Sequence, residues 1–240
     1  VKKMSIRGIF HPSSSDYPLV KSLGFSHIEI AVGAWPGRLD LMNDAINKAH
    51  ATGLSVIIEP GLFKDLYASI KFLQDAPIKP GDIIMLADEP NLFGMPPALI
   101  IQAHISVKEI LPNNDTMISL SWVKSYSGFE NSCDIVAFDF YRKFFPDLWT
   151  TAKLIAKVQW FKAAHGGQVM AIPGIKYGAA HIKRQAKFWK LLDIKDFFWF
   201  KAGISLSIPE RAKPLLYQRM RNLVGAARWP SVLAGTAALA

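Results

Sequence analysis

The sequence predicts an α/β fold in which eight strand–helix units close into one (β/α)8 TIM barrel, a single catalytic-type domain over residues 1–240. Three observations carry that expectation. Short apolar runs alternate with helical patterns eight times along the chain. The apolar runs are continuous and do not alternate with polar residues, which marks strands buried on both faces, as parallel strands are. The length of 240 residues, half of them hydrophobic, matches what such a barrel requires and supports a sizeable core.

The first apolar run is Ile6–Phe10, followed by a short helix near Tyr17–Leu23. The second is His27–Val32, followed by a helix over Leu39–Thr52 in which Leu41, Ala45 and Ala49 recur at helical spacing. Gly53 ends that helix, because glycine readily takes the left-handed conformation that follows a last turn. The third run, Ser55–Glu59, precedes a helix over about Leu62–Gln74, and the fourth is Ile83–Ala87. Its helix starts near Pro96-Pro97, where a missing backbone N–H loses no helical bond. Met117–Ser121 is the fifth run, with a brief helix or loop behind it, and Asp134–Asp139 is the sixth. A helix over Leu148–Ala164 stops at His165-Gly166-Gly167. The seventh run, Gln168–Ile172, leads to a helix over Ala179–Leu192. The eighth, Phe197–Lys201, leads to a helix over Pro209–Val224. A doubly wound open sheet fits less well. His11-Pro12-Ser13-Ser14-Ser15 stands where a glycine-rich phosphate loop would follow the first strand, and no Walker-type lysine loop occurs.

Composition narrows the function classes. The formal net charge is +9, and much of it lies late in the chain, from Lys183 and Arg184 to Arg221 and Arg228. A basic surface attracts anions. The sequence carries no aromatic-interleaved nucleic-acid motif, so these charges read as a solvated helix face and nucleic acid is not an expected partner. Cys133 is the single cysteine, which excludes an internal disulfide and a cysteine-rich metal site, and it is expected to lie buried at a strand entry. The six histidines are scattered without ligand spacing, so no metal is expected. No Gly-x-Ser-x-Gly elbow marks a serine hydrolase. No uninterrupted apolar run is long enough to span a membrane, and the tail from Leu223 to Ala240, which contains Arg228 and Pro230, reads as a packing segment or a frayed end. Val1-Lys2-Lys3-Met4 leads straight into a strand with no signal peptide. Localisation is expected to be secreted or periplasmic if a leader was removed, and cytoplasmic otherwise. The sequence sets no oligomeric state.

In a barrel of this kind, polar residues at the carboxyl ends of strands are the functional candidates. Here they are His11, Glu59, Asp88, Glu89, Asn91, Ser121, Trp122, Asp139, Tyr141 and Lys201. Leu86-Ala87-Asp88-Glu89-Pro90-Asn91 places two carboxylates directly after an apolar strand. Neighbouring strand residues point to opposite faces, so one of the pair is expected at the barrel mouth. A carboxyl group over an apolar pocket holds its proton to higher pH, which suits a general acid. The bland alternative is a helix cap or a rim salt bridge. Asp139 and Tyr141, two apart, share a face. A carboxylate beside a phenol can position water, or the two can simply cap a loop. Trp35, Trp122 and Trp149 follow strands two, five and six, where indole faces can stack on sugar rings or pack in the core. Arg7 and Glu29 lie within strands one and two and could form a paired bridge inside the barrel.

Asp88-Glu89-Pro90 after strand four resembles the Asn-Glu-Pro or Asp-Glu-Pro signature of clan A glycoside hydrolases, the TIM-barrel glycosidases. Asp139-Phe140-Tyr141 and the aromatic strand Phe197-Phe198-Trp199-Phe200 are similar to strands six and eight of that clan. The resemblance implies that Glu89 is the acid/base. The chain departs from the clan at strand seven, where Val169-Met170-Ala171-Ile172-Pro173-Gly174 lacks the nucleophile glutamate. Either another carboxylate serves, or the reaction inverts through water, or the barrel only binds sugar; of the available carboxylates, Asp139 is preferred to Glu59.

The resulting expectation is a hydrolase, a glycosidase acting on an oligo- or polysaccharide of carbohydrate metabolism, with no cofactor. Glu89 and Asp139 are the catalytic pair, and Asp88, Asn91, Tyr141, Glu59, His11, Trp35, Trp122 and Lys201 contact substrate. The alternatives are a catalytically inactive glycan-binding barrel, and a barrel enzyme that uses Lys201 and the basic surface to take an anionic, acidic substrate. With strand five between strands four and six, two spacings of about 4.8 Å separate Glu89 from Asp139. That gap favours a water between the carboxyls and inversion at the anomeric carbon.

Overall fold

A computed structural model describes residues 6–9, 14–22, 24–31, 39–62, 66–140, 148–172 and 179–199. Strands β1 (Arg7–Ile9), β2 (His27–Ala31), β3 (Ser55–Glu59), β4 (Ile83–Ala87), β5 (Asp115–Ser121), β6 (Ile135–Asp139), β7 (Gln168–Ile172) and β8 (Phe197–Trp199) pair in parallel in chain order. β8 returns to β1, with Arg7 opposite Phe197 and Ile9 opposite Trp199, so the sheet closes on itself. Helices α1 (Tyr17–Ser22), α2 (Leu39–Ala51), α3 (Leu66–Asp75), α4 (Pro97–Ile110), α5 (Leu148–Ala164) and α6 (Ala179–Leu191) carry the crossovers. Between β5 and β6 there is no helix, and residues 122–134 run as turns and loop. The architecture is α/β and consistent with a TIM barrel. The expected eighth helix, Pro209–Val224, lies outside the described residues.

Each strand divides its side chains between two cores. Ile6, Ile57, Ile83, Met85, Met117, Ile135, Ala137, Met170 and Ile172 fill the lumen as one buried cluster. The alternate positions, such as Ile28, Ile30, Val56, Ile58, Ile118, Leu120, Val136 and Phe138, join the larger outer cluster under the helices. This two-sided burial is why the strands read as continuous apolar runs.

Local chemistry sets the element ends. Pro97 opens α4, and Ile100, Ala103 and Val107 form its buried stripe. In α2 the fully buried residues are Met42, Ile46 and Ala49: Ala49 is as expected, Ala45 packs against the core half-buried, and Met42 takes the buried place expected of Leu41. Gly53, at φ 75°, ends this helix as expected, and Leu54 N–H bonds back to Ala49 O at 3.0 Å. At Gly167 a Cβ would stand 2.3 Å from Asp134 O, so only glycine lets the chain enter β7 so close to β6. Cys133 is buried just before β6, as expected, and its Sγ donates to Ile135 O at 3.0 Å. Burial pushes its thiol up to about 12. No described helix is long and apolar enough to cross a membrane.

Carboxylates at the strand starts fasten the amino-terminal end of the barrel, Asp82, Asp134 and Asp196 among them, and Asp82 is the most deeply buried of these. Asp82, 1% exposed, enters β4 and accepts hydrogen bonds from Val56 N–H at 3.0 Å, Lys79 N–H at 2.8 Å and His50 Nε2 at 2.9 Å. Removing it leaves buried donors without an acceptor, a loss of about 3–5 kcal/mol when a buried pair is broken from one side. Asp82→Ala is therefore expected to lower the urea midpoint sharply, and Asp82→Asn, which keeps one acceptor, to lower it less. Equal stability of Asp82→Ala and the parent would show that this junction does not hold the barrel.

Candidate active site

The carboxyl end of β4 is irregular, and its irregularity shapes the site. Met85 pairs with Met117, but the next partner of Ile118 is Ala87, so β4 carries an extra residue. Met85 packs in the lumen, whereas Leu86 and Ala87 both join the outer core. Such a bulge shifts the side-chain alternation and re-aims the residues beyond it. Asp88 turns inward, and its Oδ1 accepts a short hydrogen bond from the Ser119 hydroxyl. Ser119 shares the inward face of β5 with Met117 and Ser121.

Glu89 comes next at φ 46°, in the left-handed region that side chains other than glycine occupy only at a cost. Its N–H donates to Ser119 Oγ at 2.9 Å, and its carboxyl lies within hydrogen-bonding reach of the Ser121 hydroxyl. Simple alternation expects one of this carboxylate pair at the mouth. Both are there, because the bulge and the left-handed turn each reset the chain direction. Burial raises the pKa of Glu89, the Asp88 charge adds to that, and the Ser121 hydrogen bond opposes it. The net effect favours the protonated acid.

The other expected residues divide clearly. Asn91 is buried, and its amide is committed to main chain. Its Nδ2 donates to Ser121 O at 2.8 Å and Ser125 O at 3.2 Å, and its Oδ1 accepts from Ser121 N–H at 2.8 Å. The expectation that this amide bonds substrate gives way to a bracing role. Asp139 is 7% exposed, follows inward Ile135 and Ala137, and is the register partner of Ser121. Glu59 ends β3 on the inward side, two residues beyond Ile57 and beside Ala31. Trp122 turns to the outer layer and meets Phe140 edge-on at 5.3 Å, so it packs against the core and is not displayed at the mouth. His11, Trp35, Tyr141 and Lys201 lie outside the described residues, as does the Trp149 side chain.

Two neighbours of the site escape a reading of strand ends alone. Ser119 is fully buried one step below Ser121, and the two-residue period that links them is its only sequence signal. Tyr126 is buried against Phe138 and Phe161, and burial, followed by the charge of Asp139, keeps its phenol protonated.

Glu29 corrects another expectation. Ile6 faces the lumen and Ile9 the outer core, so Arg7 points outward and cannot pair with Glu29 inside the barrel. Glu29 sits in the lumen beside Ile57, and complete burial raises its pKa well above the usual range, with the charges of Glu59 and Asp88 adding to the rise. The folded protein therefore keeps this proton where the unfolded chain releases it. Stability must fall as pH rises from the ordinary glutamate pKa of about 4.3 toward the raised value. Glu29→Gln is expected to flatten that slope and to leave stability at neutral pH equal or higher. Urea unfolding from mildly acidic to neutral pH measures it, and an unchanged slope in the variant would contradict the assignment.

No protein-family model and no curated protein matches the chain. Solved structures do. A glycoside hydrolase family 17 β-1,3-glucanosyltransferase from Rhizomucor miehei superposes with a TM-score of 0.57 at 13% identity, over 82% of this chain and 86% of that one. β-Glucuronidase 2 from Bacteroides uniformis gives 0.58 at 15% identity, over 82% of this chain and 30% of that one. The citrate synthase SbnG gives 0.58 at 11% identity, over 93% of both chains. The chain spans less than half the length of the β-glucuronidases and β-galacturonidase it superposes on. At these identities the likeness is one of fold. The chain has the α/β fold of barrel glycoside hydrolases, which other barrels share.

Proposed function

We propose that this chain is a single-domain (β/α)8 glycoside hydrolase that cleaves a glycosidic bond in an oligo- or polysaccharide, with Glu89 as general acid. The observation that carries this reading is the strained, inward placement of Glu89. Backbone strain that the surrounding structure holds in place clusters at functional sites, and this strain aims a carboxyl with a raised pKa at the mouth. The fold likeness to glycoside hydrolases of families 2 and 17 supports the same reading.

In the proposed reaction Glu89 gives its proton to the leaving glycosidic oxygen as the bond from the anomeric carbon breaks. Asp139, on the far side of Ser121, takes a proton from a water whose oxygen attacks that carbon. Asp88 accepts from a sugar hydroxyl. Asn91 holds the β4–β5 junction and acts at one remove from substrate. Tyr141 would orient Asp139, while His11, Trp35, Glu59 and Lys201 would line the sugar path. β5 stands between β4 and β6, which favours the wider, water-bearing gap and inversion.

A glycan-binding barrel without catalysis is a second reading, favoured by β7, which ends at Ile172 with no carboxylate. A barrel enzyme for an anionic substrate draws on the +9 charge and on the end-to-end superposition on SbnG. Against it, Glu59, Asp88, Glu89 and Asp139 make the described part of the mouth acidic.

Hydrolysis of a glycan panel separates these readings. Glu89→Gln keeps shape and loses the proton, so activity should fall about 10²–10⁴-fold with the circular dichroism spectrum unchanged. An undiminished rate on the responsive glycan would remove Glu89 from the acid's role. On that same glycan, the anomer formed first, tracked by NMR, should be inverted. A retained product would instead require a covalent carboxylate and would return Glu59 to consideration.

A further inference from the structure

We propose that Ser119 and Ser121, the two inward serines of β5, are the positioning residues of the acid: Ser119 holds the main chain of Glu89 and Ser121 holds its carboxyl. This rests on the reading of Glu89 as general acid and adds what keeps that acid in place.

The left-handed conformation at Glu89 must be held by contacts that outweigh its intrinsic cost. Ser119 supplies one of them. Its hydroxyl proton goes to Asp88 Oδ1, so its lone pairs are what the Glu89 N–H meets at 2.9 Å. One hydroxyl therefore ties the side chain of residue 88 to the backbone of residue 89. The bond to Asp88 also fixes the hydroxyl's orientation, because a carboxylate accepts and an N–H donates.

Ser121 is held from the other side. Asn91 takes both its N–H and its C=O, each at 2.8 Å, so the backbone of Ser121 is fixed by a residue two positions after Glu89. The Ser121 hydroxyl is the group whose hydrogen bonding opposes the rise in the Glu89 pKa, and Ser119, two positions earlier on the same face, bonds the Glu89 N–H at 2.9 Å. The segment 88–91 thus grips β5 at two successive inward positions, and β5 returns both grips through hydroxyl groups. A serine there for packing alone would have an alanine equivalent. An alanine cannot give the carboxylate a donor, and donors to a carboxylate favour its ionised form. Ser121 therefore restrains how far burial can raise the acid.

The test monitors the Glu89 carboxyl directly, by 13C NMR titration in the full chain, beside pH–rate profiles on the responsive glycan. Ser121→Ala should move the Glu89 midpoint and the alkaline limb of kcat/KM upward. It should lower kcat about 10- to 100-fold with KM little changed, the scale of a displaced catalytic group. Ser121→Thr keeps the hydroxyl and should restore both. Ser119→Ala should also reduce kcat, and Ser119→Thr should recover it. Urea midpoints verify that each variant is folded. A Ser121→Ala protein whose Glu89 titration and alkaline limb match the parent overturns the role of Ser121, and a parental kcat in Ser119→Ala overturns that of Ser119. If Glu89→Gln still hydrolyses, the acid assignment fails, whereas the carboxyl titration of Ser121→Ala still decides whether the serine governs that group.

Discussion

The pairing of β8 with β1 is the constraint on which the rest of the molecule depends. A closed sheet has no edge strands, and every strand must place one side in the lumen and the other under the helices. Side chains of Ile57, Ile83, Met85, Met117, Ile135, Ala137 and Met170 fill that lumen and exclude water from it. Polar groups that enter it must be bonded or uncharged. His27 bonds Ser26 Oγ at 2.7 Å and Gly81 O at 3.2 Å, and burial keeps its ring toward the neutral form. Glu29 answers the same demand by holding its proton. Among the described residues, carboxylates stand where the lumen opens at the ends of β3, β4 and β6.

Much of this was legible in the sequence because the two-sided burial of parallel strands is itself a sequence pattern. The runs Ser55–Glu59, Ile83–Ala87 and Gln168–Ile172 coincide with β3, β4 and β7 to the residue. Asp139 was legible because β6 is regular, so counting by two from Ile135 reaches it. The end of β4 was not. Its extra residue comes from the pairing with β5, and nothing local in Met85-Leu86-Ala87 announces a bulge. Counting along the strand therefore gives the wrong facing for one member of the Asp88–Glu89 pair. The Arg7–Glu29 bridge failed for a related reason: opposite charges on neighbouring strands meet only if their registers give both the same face. Trp122 failed because the residue after an inward Ser121 points outward, whatever its affinity for a sugar ring.

The described part of the mouth carries charge opposite to the chain as a whole. The formal charge is +9, yet the inward residues at the ends of β3, β4 and β6 are Glu59, Asp88, Glu89 and Asp139. Like charges at this range raise one another's proton affinity. At Glu89, burial raises the carboxyl's pKa, the Ser121 hydroxyl opposes that rise and the Asp88 charge adds to it.

The left-handed backbone at Glu89 carries a consequence for directed evolution. Glycine or asparagine would relax that conformation, so glutamate is among the less comfortable residues for the position. A population of variants selected only for heat resistance would drift away from glutamate at 89, and one selected for proton donation would hold it there. Thermal robustness and chemistry thus compete for a single codon, a trade-off known for strained sites generally, and any stabilised version of this barrel would best leave that codon untouched.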